Sequence, residues 1–159
     1  MYDSKYMIEA CNEAQTSIDS HSGGPFGCVI VKDNQIVGRG HNQVLSTNDP
    51  TCHGEISAIR DACDNLKTVD LTGCELYTTG EPCGMCLYAC FWANIDIVYY
   101  GCSVSDNGTI GFRDDVFDKK TNLNRQDLKS GKRKFLEQHD RSMCFEVFKQ
   151  YLKEHHKLY

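Results

Sequence analysis

The chain contains no run of about 18 or more apolar residues, so no membrane-spanning helix is expected. It also lacks an apolar signal core. Met1-Tyr2-Asp3-Ser4-Lys5 leads straight into an amphipathic pattern, and a cytoplasmic location is expected. Internal repeats and low-complexity linkers are missing, and there are three prolines in 159 residues; one domain spanning 1–159 is the simplest account. A basic balance is missing too. The formal net charge is -5, which argues against the footprint of a nucleic-acid binder. The one basic stretch, Lys119 to Arg141, is interleaved with Asp118, Asp127, Glu137 and Asp140, and such a mixed run reads as a solvated face.

Cysteine, by contrast, is plentiful. Ten cysteines would suit a disulfide-rich secreted protein, but no secretion signal is seen and half of them (Cys11, Cys28, Cys63, Cys90, Cys144) lie in apolar runs. In a reducing compartment such residues behave as small buried hydrophobes. Apolar residues make up 40 % and charged residues 25 %, an ordinary soluble composition.

Apolar spacing predicts a helix over 4–19 through Met7, Ala10, Cys11, Ala14 and Ile18, ended by Gly23-Gly24-Pro25. A hairpin follows, with Phe26 to Val31 turning at Asp33-Asn34 into Ile36 to Gly40. Beyond a polar loop ending in Asn48-Asp49-Pro50-Thr51 come a helix from His53 to Leu66, a strand from Cys74 to Thr78 and a helix from Cys83 to Ala93. Ile95 to Tyr100 reads as a covered strand and Ser142 to His155 as the last helix. Residues 102–134 have no clear period, and a fifth strand is placed within Arg133 to Gln138. This order predicts an α/β fold: a three-layer α/β/α sandwich with a mixed sheet of about five strands, antiparallel at the hairpin edge and parallel across the strand-helix-strand crossings.

Two short motifs carry chemistry. His53-Gly54-Glu55 and Pro82-Cys83-Gly84-Met85-Cys86 each open a helix, where free N–H groups and the helix dipole favour thiolate over thiol. Two thiolates and one imidazole suit Zn²⁺, and three protein ligands leave a fourth position for water. A structural zinc site would need a fourth ligand, and no second Cys-x-x-Cys or His pair stands at finger-like spacing. A redox Cys-x-x-Cys would have no use for His53 and Glu55. Glu55, two residues from a ligand, is placed to move protons rather than to bind metal. The combination matches the H-x-E…P-C-x-x-C signature of zinc nucleobase deaminases.

Other stretches carry a closer resemblance: Gly23-Gly24-Pro25-Phe26-Gly27, Val29 to Asp33, Asn48 to Thr51, Ala58-Ile59-Arg60, Glu81-Pro82-Cys83, Met85-Cys86-Leu87 and Gly111-Phe112 with its acidic neighbours. With these the chain resembles the bacterial guanine deaminases of the cytidine-deaminase-like superfamily, well over residues 5–118 and loosely beyond. The resemblance implies one Zn²⁺ per chain, a small-molecule nucleobase as substrate and conversion of guanine to xanthine plus ammonia. It further implies Asn42 hydrogen-bonding the purine, Phe26 and Trp92 beside the base, and Asp114 relaying a proton to the departing ammonia with Glu55. Tyr159 would close over the base from the partner of a homodimer whose C-terminal segment, about 142–159, is exchanged between protomers.

Read as residues alone, Phe26 and Trp92 suit a core, Asn42 a turn, and Tyr159 a chain end. Counting from Gly111-Phe112 selects Asp114 as second acid, whereas the Asp-Asp-x-Phe pattern would select Asp115. The chain departs from the resemblance at Gly54, at Gly80 and over 119–141. His-Gly-Glu-Ile-Ser is also similar to fungal-type cytosine deaminases, and Asp49-Pro50-Thr51 is shared with transfer-RNA adenosine deaminases. The non-enzymatic alternative is a zinc-stabilised binding module, which Glu55 beside an open metal position opposes.

Overall fold

The computed structural model describes residues 1–130, 134–154 and 158–159. Helix α1 (Ser4–Asp19) starts where the Asp3 side chain accepts from the Lys5 N–H, and it buries Met7, Ala10, Ala14 and Ile18. Strands β1 (Gly27–Lys32) and β2 (Gln35–His41) form the expected hairpin. Its turn residues Asp33 and Asn34 both have positive φ, the geometry that matches strand twist in a two-residue connection. A short helix α2 (Val44–Thr47) interrupts the polar loop. Then follow α3 (Gly54–Leu66), β3 (Glu75–Gly80), α4 (Gly84–Trp92) and β4 (Ile97–Cys102).

The sheet has five strands in the order β2-β1-β3-β4-β5, with β5 at Leu136–Gln138, inside the stretch expected for it except that Arg133 lies outside the described residues. Pairs β1/β2 and β1/β3 are antiparallel, and β3/β4 and β4/β5 are parallel. The first expected crossing therefore differs in detail. The connection through α3 passes over β1, so β2 and β3 share a direction without being neighbours. Helix α8 (Arg141–Lys153) ends the described helices; His155, placed in that helix by periodicity, lies outside the described residues.

Alternation along the strands sorts two cores. Cys28 and Ile30 of β1, Leu76 of β3 and Val98 and Tyr100 of β4 pack with Ala58, Ala62 and Leu87 from α3 and α4. Val29, Val31, Tyr77 and Tyr99 face the other way, onto Met7 and Ile18 of α1 and Cys144 and Phe148 of α8. The sheet is thus covered on both faces, as the apolar runs required.

Residues 102–134 are more regular than their sequence suggests, forming α5 (Val104–Thr109), α6 (Asp114–Thr121) and α7 (Gln126–Ser130). Local capping shapes α5: the Ser103 side chain accepts from the Asp106 N–H while Asp106 reaches back to the Ser103 N–H. Helices α6 and α7 bury no residue fully, which is why they leave no apolar period to read.

Two features of β2 fix where α3 lies. A Cβ added at Gly40 would stand 2.4 Å from the Ala58 nitrogen, so the helix backbone rests directly on the strand. The outward backbone of β2 is met by α3 side chains: Arg39 N–H donates to Asp61 at 2.8 Å, and Asn65 donates to the Val37 carbonyl at 3.0 Å. No helix among the described residues is long and apolar enough to cross a membrane.

Candidate active site

His53 is the N-cap of α3 and Cys83 the N-cap of α4, and neither side chain is spent on capping. Both are therefore free at converging helix starts, beside the ends of β3 and β4. His53 Nδ1 lies 3.6 Å from the Sγ of Cys83 and 3.6 Å from that of Cys86, and all three ligand atoms fall within 4.8 Å of one another. Zinc bonds to nitrogen and sulfur at a tetrahedral angle place N···S edges at about 3.6 Å. The donor set and its spacing thus fit Zn²⁺. Among the described residues no fourth ligand joins the cluster.

Electrostatics follow from the same crowding. The neighbouring Cys86, with His53 helping, holds the Cys83 thiol down to about 4, while Cys83 and burial push Cys86 up. Cys90, one turn on, is fully buried in the core and stays a packing residue, as its spacing suggested.

Glu55 in the first turn of α3 is 6 % exposed. One carboxylate oxygen takes a long hydrogen bond from Thr78 Oγ1 at 3.4 Å, and the other lies 3.4 Å from Cys86 Sγ. Burial, then the Cys83 charge, raises its carboxyl above the usual range, which suits a group that accepts and returns protons.

A cavity of about 30 Å³ adjoins this centre, lined by His53, Glu55, Cys83, Phe26, Asn42 and Asp114 together with Glu81, Asn107, Phe112 and Tyr159. Asn42 is buried, its Oδ1 accepting from Val44 N–H at 3.1 Å. Gly23 makes this possible, since a Cβ there would stand 2.0 Å from Asn42 Oδ1. Phe26 meets Phe112 edge to face at 4.8 Å, and Phe112 meets Tyr159 at 5.6 Å. The Tyr159 hydroxyl accepts from Gly24 N–H at 3.0 Å, so the last residue reaches the cavity of its own chain. Asp114 starts α6 and faces the cavity; burial raises its carboxyl, against a hydrogen bond from Asn107 that lowers it. Asp115 instead faces Lys119 at the exposed surface.

Trp92 stands apart. It is 86 % exposed at the end of α4 and lines a neighbouring, wider groove of about 780 Å³ with Tyr88, Phe117 and Leu123, a groove that also reaches His53, Cys83 and Asp114 on the outer side of the Glu55 cavity. Three cavity residues had no signal of their own in the sequence. Asn107 sits in the aperiodic stretch, Glu81 reads as part of the turn before Cys83, and Phe112 is hinted at only by Gly111-Phe112.

An ion-pair network backs the Cys83 loop. Arg125, from the stretch without family pattern, donates to the Pro82 carbonyl at 2.6 Å and forks onto Asp118 of α6. Lys129 pairs with the buried Glu81 at 2.9 Å. Several of the basic residues between 119 and 141 are thus spent inward.

Residues 1–102 match the family model for the cytidine and deoxycytidylate deaminase zinc-binding region. The guanine deaminase of Bacillus subtilis is 43 % identical over 115 residues, 72 % of this chain and 74 % of that protein. A tRNA-specific adenosine deaminase of Aquifex aeolicus is 40 % identical over 97 residues, 61 % of this chain and 64 % of the other. The crystal structure of the Bacillus subtilis guanine deaminase superposes with a TM-score of 0.74 at 34 % identity, covering 100 % of this chain and 99 % of that one. With the His-Cys-Cys cluster, the buried glutamate beside it and the mixed five-stranded sheet, the chain belongs to the zinc-binding cytidine and deoxycytidylate deaminase family.

Proposed function

We propose that this enzyme deaminates guanine hydrolytically, water and guanine giving xanthine and ammonia. The observation that carries the reading is the convergence of the metal centre, Glu55, Asn42 and Asp114 on one enclosed cavity. Similarity to a guanine deaminase over the whole chain supports the choice of base. Zn²⁺, one per chain, held by His53, Cys83 and Cys86, would supply a Lewis acid that makes water nucleophilic at neutral pH. Glu55 would take one proton of that water to a ring nitrogen of the base and then carry the second, from the hydroxyl added to the ring carbon, to the departing amine as the C–N bond breaks. Asp114, 2.9 Å from the Asn107 amide that orients it, relays a proton to the ammonia. Asn42 presents its amide N–H groups to the purine because its oxygen is taken by the Val44 N–H, and the same amide reaches Tyr159. Phe26 and Phe112 provide apolar walls, and Tyr159 closes the cavity.

Residues 1–159 act as one domain in a homodimer, and exchange of the C-terminal segment, about 142–159, would place in the partner's cavity the Tyr159 that here reaches the cavity of its own chain. The exposed apolar face of α4 and α6, with Tyr88, Trp92 and Phe117, supports a second copy as neighbour, and brings Trp92 to the site as part of an interface wall. A cytoplasmic setting is consistent with ten free thiols.

The test is ammonia release from guanine, cytosine, adenine and guanosine by the zinc-loaded protein, with Glu55→Ala as control. Guanine is expected to turn over far above the control. Guanine turnover at the Glu55→Ala level, or cytosine favoured over guanine, overturns the assignment.

A further inference from the structure

We propose that Asn107 is a substrate-binding residue whose Oδ1 accepts an N–H of the bound purine. The proposal rests on the deaminase reading above and deepens it. Asn107 is 1 % exposed and lines the cavity beside Glu55 and Asp114. Its Nδ2 donates to Asp114 Oδ2 at 2.9 Å and to the Glu81 carbonyl at 3.4 Å. The Glu81 carbonyl can only accept, as can Asp114 when ionised, so the amide nitrogen faces both and Oδ1 is the atom left over. Among the described residues Oδ1 is the one buried side-chain nitrogen or oxygen without a hydrogen-bond partner. A buried acceptor left unmade works against folding, and its presence asks for a group that completes it.

Space points the same way. A Cβ on Gly80 would lie 3.1 Å from Asn107 Oδ1 and 2.9 Å from the Phe26 ring, so the glycine keeps a methyl from crowding the buried oxygen on the side of Phe26. Gly80 is one of the positions at which this chain departs from the resemblance, and Asn107 lies in the stretch its sequence left aperiodic. Together they give the cavity an acceptor opposite in character to the donor amide of Asn42. A purine satisfies both when it carries an N–H group for Asn107 and an acceptor, a ring nitrogen or a carbonyl oxygen, for Asn42. A site built to accept an N–H discriminates steeply against an analogue lacking it.

The experiment compares kcat and KM for guanine, 1-methylguanine, 7-methylguanine and 9-methylguanine in the zinc-loaded wild type, Asn107→Ala and Asn107→Asp. Wild type is expected to disfavour at least one methylated base by about tenfold or more in kcat/KM. Asn107→Ala narrows that one ratio by about tenfold, through KM, because the acceptor is gone. Loss of the hydrogen bond to Asp114 lowers kcat for every base alike and cancels in the ratio. Asn107→Asp keeps an acceptor of the same size, so it keeps the wild-type ratio although kcat falls. A wild type indifferent to all three methyl groups, ratios unchanged in Asn107→Ala, or ratios lost equally in Asn107→Asp overturns the proposal and leaves Asn107 as a support for Asp114. A wild type that releases no ammonia from guanine sinks the function instead. In that case the same ratios, read from calorimetric binding of the four bases, still decide on Asn107.

Discussion

Gly40 places the metal ligand as surely as His53 supplies it. The α3 backbone lies on β2 at this point, with the Gly54 carbonyl 2.5 Å and the Ala58 nitrogen 2.4 Å from where a methyl would go. Backbone atoms cannot step aside as a flexible side chain can. Gly40→Ala is therefore expected to destabilise by about 3 kcal/mol, at the upper end of overpacking, and to loosen zinc with it. Urea midpoints and bound zinc per chain check this; an unchanged midpoint shows that the helix can lift without penalty. Gly23 works similarly for Asn42, and neither requirement was visible in the sequence, where Gly23 reads as a helix stop. The metal ligands were legible for the opposite reason. His53, Cys83 and Cys86 must be those residue types at those spacings for the chemistry to exist, whereas Asn107 acts through one atom in a stretch without periodicity. Trp92 lies on the outer groove that His53, Cys83 and Asp114 also line, and its indole is exposed where the apolar stretch suited a core.

At the level of elements, α5 and α8 are tied by Asp106. Its carboxylate accepts from the Ser103 N–H at 2.9 Å and is forked by Arg141 at the start of α8. Arg141, then the Ser103 hydrogen bonds, holds the Asp106 carboxyl below 3.8. A carboxyl lowered on folding stabilises above its unfolded value and loses that contribution as pH falls through its folded one. Asp106→Asn is thus expected to cost about 1–3 kcal/mol at neutral pH, with the gap to wild type closing below 3.8. Denaturant titrations from pH 3 to 7 read it, and a gap that persists in acid would mean that the ion pair is not its source. Arg125 ties α6 to the Cys83 loop in a drier setting, at 10 % side-chain exposure beside Asp118 at 16 %. Arg125→Met leaves those acids poorly paired, and a loss of about 3 kcal/mol is expected by the same measurement; a loss under about 1 kcal/mol would place the pair in effective solvent contact. Long elements with a buried stripe, such as α1 and α3, were legible in the sequence. Short ones held by caps and ion pairs were not, because neither device leaves a period.

Over the whole molecule, the covered mixed sheet followed from the order of elements, while the path of the connection over β1 did not, since apolar runs do not say which strand is next. The last residue belongs to this scale as well. Removing Tyr159 is expected to lower guanine turnover severalfold with zinc content unchanged, as measured on the purified protein. If the tail serves a partner, mixing this truncation with full-length Glu55→Ala restores activity in the mixed dimers; equal turnover with and without Tyr159 removes it from the site. The side chains of Asp61 and Asn65 carry a further consequence. A sheet with an open border invites another chain to lengthen it strand by strand, the first step toward fibres. Here the helix that brings the metal ligand also occupies the hydrogen-bonding groups of that border, leaving an incoming strand fewer donors and acceptors to dock on. Copies of this protein are thereby directed to meet through side chains on another face, and loss of Asp61 and Asn65 would expose them first to aggregation rather than to failed catalysis.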